Sequence, residues 1–117
     1  MNGYVLVVPK KNLPEYRRMA KKVAKVWLRH GALDYKECVG DDIDSPWGLP
    51  FPKLLKLKRN EIVIFSYIVF KSRAHRDRVN AKVMADPDCH DPKYKDKPMP
   101  FDMKRMAFGG FKVIVEA

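Results

Sequence analysis

The chain has 117 residues, which is enough for one domain with its own core and too few for two of ordinary size. Its hydrophobic share of 46% is typical of a globular protein and argues against wholesale disorder. The formal net charge of +10 allows nucleic acid, an anionic membrane surface or an acidic ligand as a partner. The charge is spread over several predicted elements, however, which favours a solvated surface. We therefore expect a single domain over residues 1–117.

The first residues and the cysteine count indicate a compartment. Residues 1–6 have neither the basic region nor the small-residue cleavage site of a signal peptide. No apolar run approaches the roughly 20 residues that are needed to cross a bilayer. Cys38 and Cys89 are too few for a disulfide framework, and we expect both to be reduced. The sequence thus predicts a cytoplasmic protein without a membrane span.

The first half of the chain has the pattern of a strand, a helix and a second strand. Residues 4–8 form a short apolar run that ends at a proline. Asn12 is a good N-cap and Glu15 follows three positions later, as in a capping box. Gly31 is a natural stop for the helix, and residues 32–39 return as a strand. One face of this helix carries apolar residues at helical spacing: Tyr16, Met19, Ala20, Val23 and Trp27.

The second half repeats the same plan. Residues 62–70 are rich in β-branched and aromatic residues and form the strongest predicted strand. Ser72 caps a helix that ends before Pro87, and residues 108–115 are the last predicted strand. The order βαβ–βαβ predicts an α+β, ferredoxin-like fold with an antiparallel sheet. Residues 51–58, between the halves, fit either a helical turn or an edge strand.

Four segments resemble a known family. They are ECVGDD at 37–42, SRAHRD at 72–77, NAKVMADP at 80–87 and MPFDMKRMAFGGF at 99–111. Together they are similar to the YbaA-like family of small bacterial proteins, which has no established function. The fold of that family resembles the dimeric α/β barrel. The resemblance therefore implies a homodimer and a barrel-type fold, and it leaves the activity open.

The strand patterns predict a homodimer independently of that resemblance. Residues 5–8 and 62–65 are apolar at consecutive positions, so both faces of their strands favour burial. Two helices cover only one face of a four-stranded sheet. The simplest cover for the other face is the sheet of a second copy. We expect the two copies to join face to face through their sheets.

Two loops next to the sheet supply the candidate ligand-binding residues. Polar groups on such loops converge beside an apolar cavity between helices and sheet, where an anionic or oxygen-rich molecule could bind. Phe101 would supply an apolar contact, Arg105 would bind an anionic group, and an aspartate would act as a base if burial raised its pKa. The candidates are Cys38, Asp41 and Asp42 after the second strand, and Phe101, Asp102 and Arg105 before the last one.

A structural role for the second loop is the alternative. Asp102 and Arg105 would then tie the loop to the second helix through ion pairs, which contribute about 0–1 kcal/mol at a surface. The residues of that helix that match the family pattern and could support either role are Arg73, Arg76, Asp77 and Asn80.

The sequence predicts neither a metal site nor a cofactor. The aspartates of residues 40–48 lack the glycine and the closing glutamate of a calcium loop. Residues 88–91, DCHD, hold metal-ligand types without a second pair elsewhere. Cys38 has acidic neighbours that would raise its pKa, so covalent catalysis is unsupported.

Three classes of function remain. The first is a small-molecule binder or enzyme, by analogy with dimeric α/β barrels. The second is a non-specific nucleic-acid-binding protein, and the third is a structural or stress-associated dimer without enzymatic activity. The first is favoured because the resemblance covers nearly the whole chain and no RNA-binding or zinc-finger signature is present. The cations that support the second are Arg17, Arg18, Lys21, Lys22, Lys25, Arg29, Lys53, Lys56, Lys58 and Arg59.

Overall fold

The computed structural model describes residues 1–90 and 99–117. Within these residues it contains a four-stranded antiparallel sheet and three α-helices, an α+β arrangement. The elements in chain order are β1 (Asn2–Pro9), α1 (Leu13–Arg29), β2 (Asp34–Val39), α2 (Phe51–Leu54), β3 (Glu61–Val69), α3 (Arg73–Ala85) and β4 (Ala107–Gly110). Short 3-10 turns occupy Lys10–Asn12, Pro87–His90 and Met103–Arg105.

The strand order in the sheet is β2-β3-β1-β4, and each neighbouring pair is antiparallel. Strands β1 and β3 are therefore central, with Leu6 opposite Ile64, while β2 and β4 lie at the edges. This order and the alternation of strands with α1 and α3 are consistent with the predicted ferredoxin-like plan.

Most predicted elements are confirmed to within two residues at each end, one open alternative is decided, and one element differs. Residues 51–58 contain the short helix α2, so the helical interpretation of this segment is correct. The last strand was predicted over 108–115, but β4 ends at Gly110. Its register with β1 ends where Asn2 meets Gly110, and one further backbone bond joins Phe111 N–H to the Met1 carbonyl at 2.7 Å. Strong β-propensity alone does not make a strand without a neighbour to pair with.

The ends of the long helices are set by local chemistry, with one exception. Gly31 has φ of +112°, a conformation that glycine adopts without strain, and it stops α1 as predicted. The Ser72 hydroxyl accepts a hydrogen bond from the His75 backbone N–H at 3.1 Å, which confirms the predicted cap of α3. Asn12 precedes α1, but its side chain does not cap the helix. Instead its amide donates to the Pro100 carbonyl at 3.1 Å, across 88 positions of sequence.

The main core lies between one face of the sheet and the helices α1 and α3. This helix-covered face includes Leu6, Val8, Ile64 and Ile68. They pack against residues of the two helices, among them Tyr16, Ala20, Trp27, Val79 and Val83.

The opposite face of the sheet, which we term the open face, is buried only in part. It includes Val7, Val63 and Phe65, which alternate with the residues of the helix-covered face. Val7 and Val63 are buried, whereas the Phe65 side chain is 43% exposed. None of the helices that the structure describes is long and apolar enough to cross a membrane.

Candidate functional site

A small cavity lies between α1 and the helix-covered face of the sheet. Its volume is about 160 Å³. Its walls are largely apolar and aromatic, and they include Met19, Val23, Trp27, Phe101 and Met106. The polar side chains that line it are Tyr4, Tyr16, Tyr35, Glu37 and Ser66. An apolar cavity with a few convergent polar groups is the usual form of a ligand site.

The strand register explains why these polar groups meet. Successive side chains of a strand point to opposite faces, so Tyr35 and Glu37, two positions apart on β2, share the helix-covered face. Glu37 lies opposite Ser66 of β3, which in turn lies opposite Tyr4 of β1. Tyr16 reaches the same place from the buried stripe of α1. Three strands and one helix therefore each contribute at least one polar group to one cavity.

Glu37 is the centre of this polar group. The Tyr16 hydroxyl donates to one carboxylate oxygen, Oε2, at 2.8 Å. The Tyr35 hydroxyl donates to the other oxygen, Oε1, at 2.6 Å. No Lys, Arg or His among the described residues forms an ion pair with this carboxylate. Each oxygen retains a lone pair, so the carboxylate can accept a further hydrogen bond.

Burial governs the ionisation of the cluster. It raises the pKa of Glu37, and the hydrogen bonds from Tyr35 and Tyr16 oppose that rise in part. Burial also raises the pKa of Tyr16 and of Tyr35 far above the ordinary value of 10.0, with the Glu37 charge as the second cause. The pKa of Tyr4 is likewise raised by burial. At neutral pH all three phenols therefore keep their protons and can donate.

A second hydrogen-bonded group anchors the cavity at Tyr4. The buried Asn2 amide donates to the Tyr4 hydroxyl at 3.4 Å and to the Asn80 Oδ1 atom at 3.3 Å. Arg76 Nε donates to the Asn2 side-chain oxygen, Oδ1. The guanidinium also lies against Gly110, where an added Cβ would stand 3.0 Å from it. These bonds fix α3 to β1 and β4 beside the cavity, and because Tyr4 accepts from Asn2, its own proton is available to a ligand.

Only one of the six predicted ligand-binding residues lines this cavity within the described chain. Phe101 packs edge-on against Tyr16, with 5.7 Å between ring centroids. Cys38 is exposed and pairs with Phe65, which places it on the open face. Asp41 and Asp42 are exposed in the loop that follows β2.

The other two predicted residues and the four of the second helix do not line this cavity. Asp102 accepts from the Lys104 backbone N–H at 2.9 Å. Arg105 was expected to pair with the second helix, but it binds Glu61 at 2.6 Å and the Leu55 carbonyl at 2.9 Å. On α3, the Arg76 and Asn80 side chains are hydrogen-bonded to the Asn2 side chain. The exposed Asp77 accepts a hydrogen bond from Arg76. The Arg73 side chain is exposed. The joint site of the six residues stays a prediction.

The predicted candidates did not include Tyr4, Tyr16, Tyr35 and Glu37. In the sequence, Glu37 belongs to the family-like segment at 37–42, and Tyr16 belongs to the apolar stripe of the first helix. The signal that could have found them is the two-residue spacing of Tyr35 and Glu37, which puts an acid and a phenol on one face of a strand.

A metal centre is not evident in the part of the chain that the structure describes. There is no group of three or more potential ligands there. In the DCHD segment, Asp88 forms an ion pair with Arg29 at 3.1 Å, and the Cys89 side chain packs against the core. Burial raises the pKa of the Cys89 thiol. Asp91, the last member of that segment, lies outside the described residues.

The comparisons with known proteins settle the family. The family model described as "Protein of unknown function (DUF1428)" matches residues 1–103. The chain is also 38% identical over 116 residues to "Uncharacterized protein YbaA" of Escherichia coli strain K12, an alignment that covers 99% of this chain and 97% of that protein. The proteins of the same description from Escherichia coli O157:H7 and Shigella flexneri show the same identity and coverage. The chain belongs to this family of unknown function, and the resemblance noted in the sequence is confirmed.

Proposed function

We propose that this protein binds a small aromatic molecule carrying a hydroxyl group in the cavity between α1 and the sheet, with Glu37 as the proton acceptor. The observation that carries the proposal is a partly buried carboxylate that is held by two phenols, has no cationic partner among the described residues and lines an apolar cavity. Shielding a carboxylate from water without a cationic partner costs free energy, and groups perturbed in this way are concentrated at functional sites.

The size and walls of the cavity indicate the apolar part of the ligand. A cavity of about 150 Å³ holds one benzene ring, and this one measures about 160 Å³. Trp27 and Phe101 offer aromatic surfaces, and Met19 and Met106 offer adaptable ones. A negative Glu37 disfavours a ligand whose carboxylate would enter the same space. The sequence predicts an anionic or oxygen-rich ligand. The charge of Glu37 restricts the expected ligands to neutral molecules that carry oxygen.

The polar groups indicate the chemistry. A ligand hydroxyl would donate to the remaining lone pair of Glu37. Because burial raises its pKa above the ordinary value of 4.5, Glu37 is a better proton acceptor than a solvated carboxylate. If the proton moves fully, the ligand O–H bond breaks, the proton joins Glu37 and the charge remains on the ligand oxygen. Tyr16 and Tyr35 are then free to donate to that oxygen.

Fluorescence of Trp27 tests the proposal. Trp47 is 85% exposed and would contribute background, so the measurements use the Trp47→Phe chain at pH 7.5. We expect phenol to change the Trp27 emission and benzoate to have no effect. In Glu37→Gln, phenol binding should weaken by roughly tenfold or more, the equivalent of one hydrogen bond to a charged group, while benzene binding should not change.

A matched control separates the site from a general charge effect. Glu116→Gln removes an exposed carboxylate far along the sequence from the cavity and should leave phenol binding unchanged. Equal phenol affinity in the wild-type and Glu37→Gln chains would contradict the proposal, as would a wild-type chain that binds none of these molecules.

The same chain is proposed to work as a homodimer of the dimeric α/β barrel type, joined through the open faces of the sheets. The support is the exposed Phe65 side chain in the middle of that face. Phe111 lies over the same face, where its ring would meet a Cβ at Gly3 at 2.9 Å, and it is 62% exposed. A second sheet would bury both rings.

Non-specific nucleic-acid binding is the second candidate function. The observation that favours it is the solvent face of α1, where Arg17, Arg18, Lys21 and Lys25 are all exposed. Phosphate contacts made by such cations release counterions, so binding should weaken steeply with salt. A gel shift at low salt that disappears near physiological salt would reduce this candidate to a surface-charge effect. Sequence-selective binding that survives high salt would instead indicate specific recognition of nucleic acid and would count against the small-molecule proposal.

A further inference from the structure

We propose that a second site, a basic groove at the start of α3, binds a small phosphate monoester that has an apolar body. The groove has a volume of about 1130 Å³ and lies between the turn that joins β3 to α3 and the last residues of the chain, 110–116. Among the described residues, the groove and the cavity that holds Glu37 share no lining residue. The inference therefore goes beyond the function proposed above and does not depend on it.

The first observation is the charge of the groove. Its walls carry one acidic side chain, Glu116, and the four cationic side chains of Lys71, Arg73, Arg76 and Lys112. Three of these cations, Lys71, Arg73 and Lys112, are exposed and form no ion pair within the part of the chain that the structure describes. Cations gathered around a concave surface raise the local concentration of anions.

The second observation is that Arg76 is held in place before any ligand arrives. Its Nε atom donates to the Oδ1 atom of Asn2, a residue that is only 1% exposed. The Arg76 side chain itself is 21% exposed, and Asp77 is the one carboxylate among the described residues that contacts it, at 3.4 Å. The terminal nitrogens of the guanidinium therefore retain donors for a ligand. A fixed guanidinium binds phosphate oxygens in pairs, with little loss of side-chain freedom.

The third observation is that Gly110 makes room for this guanidinium. A Cβ added at Gly110 would stand 3.0 Å from both the Cζ and the Nη2 atoms of Arg76. Glycine permits such a close approach because it has no side chain. Gly110 lies opposite Asn2 in the sheet, and Asn2 shares the helix-covered face with Tyr4 and Leu6. The guanidinium thus lies away from the open face through which the homodimer is proposed to form.

The number of cations favours a phosphate monoester over a carboxylate. A phosphate monoester carries about two negative charges near pH 7 and has three strong acceptor oxygens, so it can use several cations at once. The Ser72 hydroxyl also lines the groove. It accepts a hydrogen bond from the His75 backbone N–H at 3.1 Å, so its own proton remains available to a phosphate oxygen.

The size and the remaining walls of the groove indicate the rest of the ligand. Small-molecule sites commonly occupy about 300–1,000 Å³, so the groove has room for an organic body as well as a phosphate group. Leu33, Val113 and Val115 line it and are 60%, 52% and 82% exposed. An apolar body packed against these side chains would remove them from water.

Calorimetric titration of the full-length chain with naphthyl phosphate at physiological salt tests the site. We expect saturable binding, and the double variant Lys71→Ala, Arg73→Ala should weaken it by roughly tenfold or more. Arg78→Ala is the matched control, because Arg78 is an exposed cation of α3 that does not line the groove. A wild-type chain that does not bind the ester would overturn the proposal. An equal loss of affinity in the double variant and the control would indicate a general charge effect and would overturn it too.

A pair of glycine variants tests the placement of Arg76. Gly110→Ala should displace the guanidinium and weaken ester binding by roughly threefold or more. In Gly109→Ala the added Cβ would meet only the Phe111 ring at 3.8 Å, an ordinary contact, so binding should not change. Circular dichroism checks that both chains fold. Ester binding that is unchanged in a folded Gly110→Ala chain would overturn the assignment of Arg76 to the phosphate.

Competing molecules test the ligand class and keep the two sites apart. Naphthyl phosphate should bind at least roughly tenfold more tightly than inorganic phosphate, which lacks the apolar body, and than naphthol, which lacks the charge. Equal affinity for either would overturn the proposed class. Saturating phenol should not displace the ester, since the two sites are separate. Displacement by phenol would place the ester in the cavity and overturn the second site, whereas a chain that binds the ester and not phenol would overturn only the function proposed above.

Discussion

Two acidic side chains, Glu37 and Asp86, occupy sheltered positions at opposite ends of α1 and have opposite ionisation behaviour. Burial raises the pKa of Glu37, whose partners are two neutral phenols. The pKa of Asp86 is held well below its ordinary value of 3.8, first by the hydrogen bond from Arg29 and then by that from His30. His30 Nε2 lies 2.6 Å from the Asp86 carboxylate, and the Asp88 backbone N–H donates to it at 2.8 Å.

The difference separates a carboxylate that is neutralised by cations from one that has only neutral hydrogen-bond donors, the feature on which the proposed ligand site rests. Asp86 joins the C-terminal ends of α1 and α3, and its charge is compensated by cations. Glu37 has no such compensation and lines a cavity. Removing one partner of a sheltered ion pair leaves an uncompensated charge, whereas replacing an uncompensated carboxylate by an amide relieves a desolvation cost. We therefore expect substitutions of these two carboxylates to affect stability in different ways.

The largest expected effect is on stability. Asp86→Asn should lower the midpoint of urea unfolding clearly, since Arg29 and His30 lose their common anion. Glu37→Gln should change the free energy of unfolding at pH 7 by less than about 1 kcal/mol, because the amide retains the shape and an acceptor for one phenol. Circular dichroism measured during urea titration of both chains provides the comparison. A greater loss of stability in Glu37→Gln than in Asp86→Asn would show that the roles are reversed.

The pH dependence of stability should differ in sign between the two sites. Asp86 has a lowered pKa, so its contribution is present above pH 3.8 and is lost as the pH falls through the folded-state pKa. Glu37 has a raised pKa, so the contribution of its protonated form is present below pH 4.5 and is lost as the pH rises through the folded-state pKa.

Unfolding curves recorded from acid to neutral pH check these signs. The stability deficit of Asp86→Asn relative to the wild type should shrink as the pH falls below 3.8. The stability of Glu37→Gln relative to the wild type should increase as the pH rises above 4.5. Parallel curves for either variant and the wild type would mean that the carboxyl has the same pKa in the folded and unfolded states.

The elements that the sequence predicts well are those set by neighbouring residues. The β-branched run of β3, the Ser72 cap and the Gly31 stop each depend on local conformational preferences, and all three are present. The end of β4 depends on whether a strand lies beside residues 111–115. The β-propensity of those residues does not predict the position of a neighbouring strand.

The candidate site was harder to predict because its contacts join distant segments. Tyr16 and Glu37 are 21 positions apart, and Arg105 reaches Glu61 across 44 positions. Asn12 is a residue type that commonly caps helices, yet its side chain is hydrogen-bonded to the Pro100 carbonyl and does not cap α1. A pattern of residue types gives the face of a strand on which a side chain lies, as for Tyr35 and Glu37. Which helix then covers that face is decided by the packing of the whole chain.

The smallest expected effect concerns the two phenols that bind Glu37. Tyr35→Phe and Tyr16→Phe each remove a hydrogen bond that lowers the Glu37 pKa, so each should raise that pKa further, with the larger rise in Tyr35→Phe. Titration of the Glu37 side-chain carboxyl by carbon NMR measures the shift directly. Tyr67→Phe, on the open face of β3, is the matched control and should leave the Glu37 titration unchanged. If Tyr35→Phe lowered the Glu37 pKa, the phenol would be stabilising the protonated acid, and Glu37 could not be the proton acceptor that distinguishes it from Asp86.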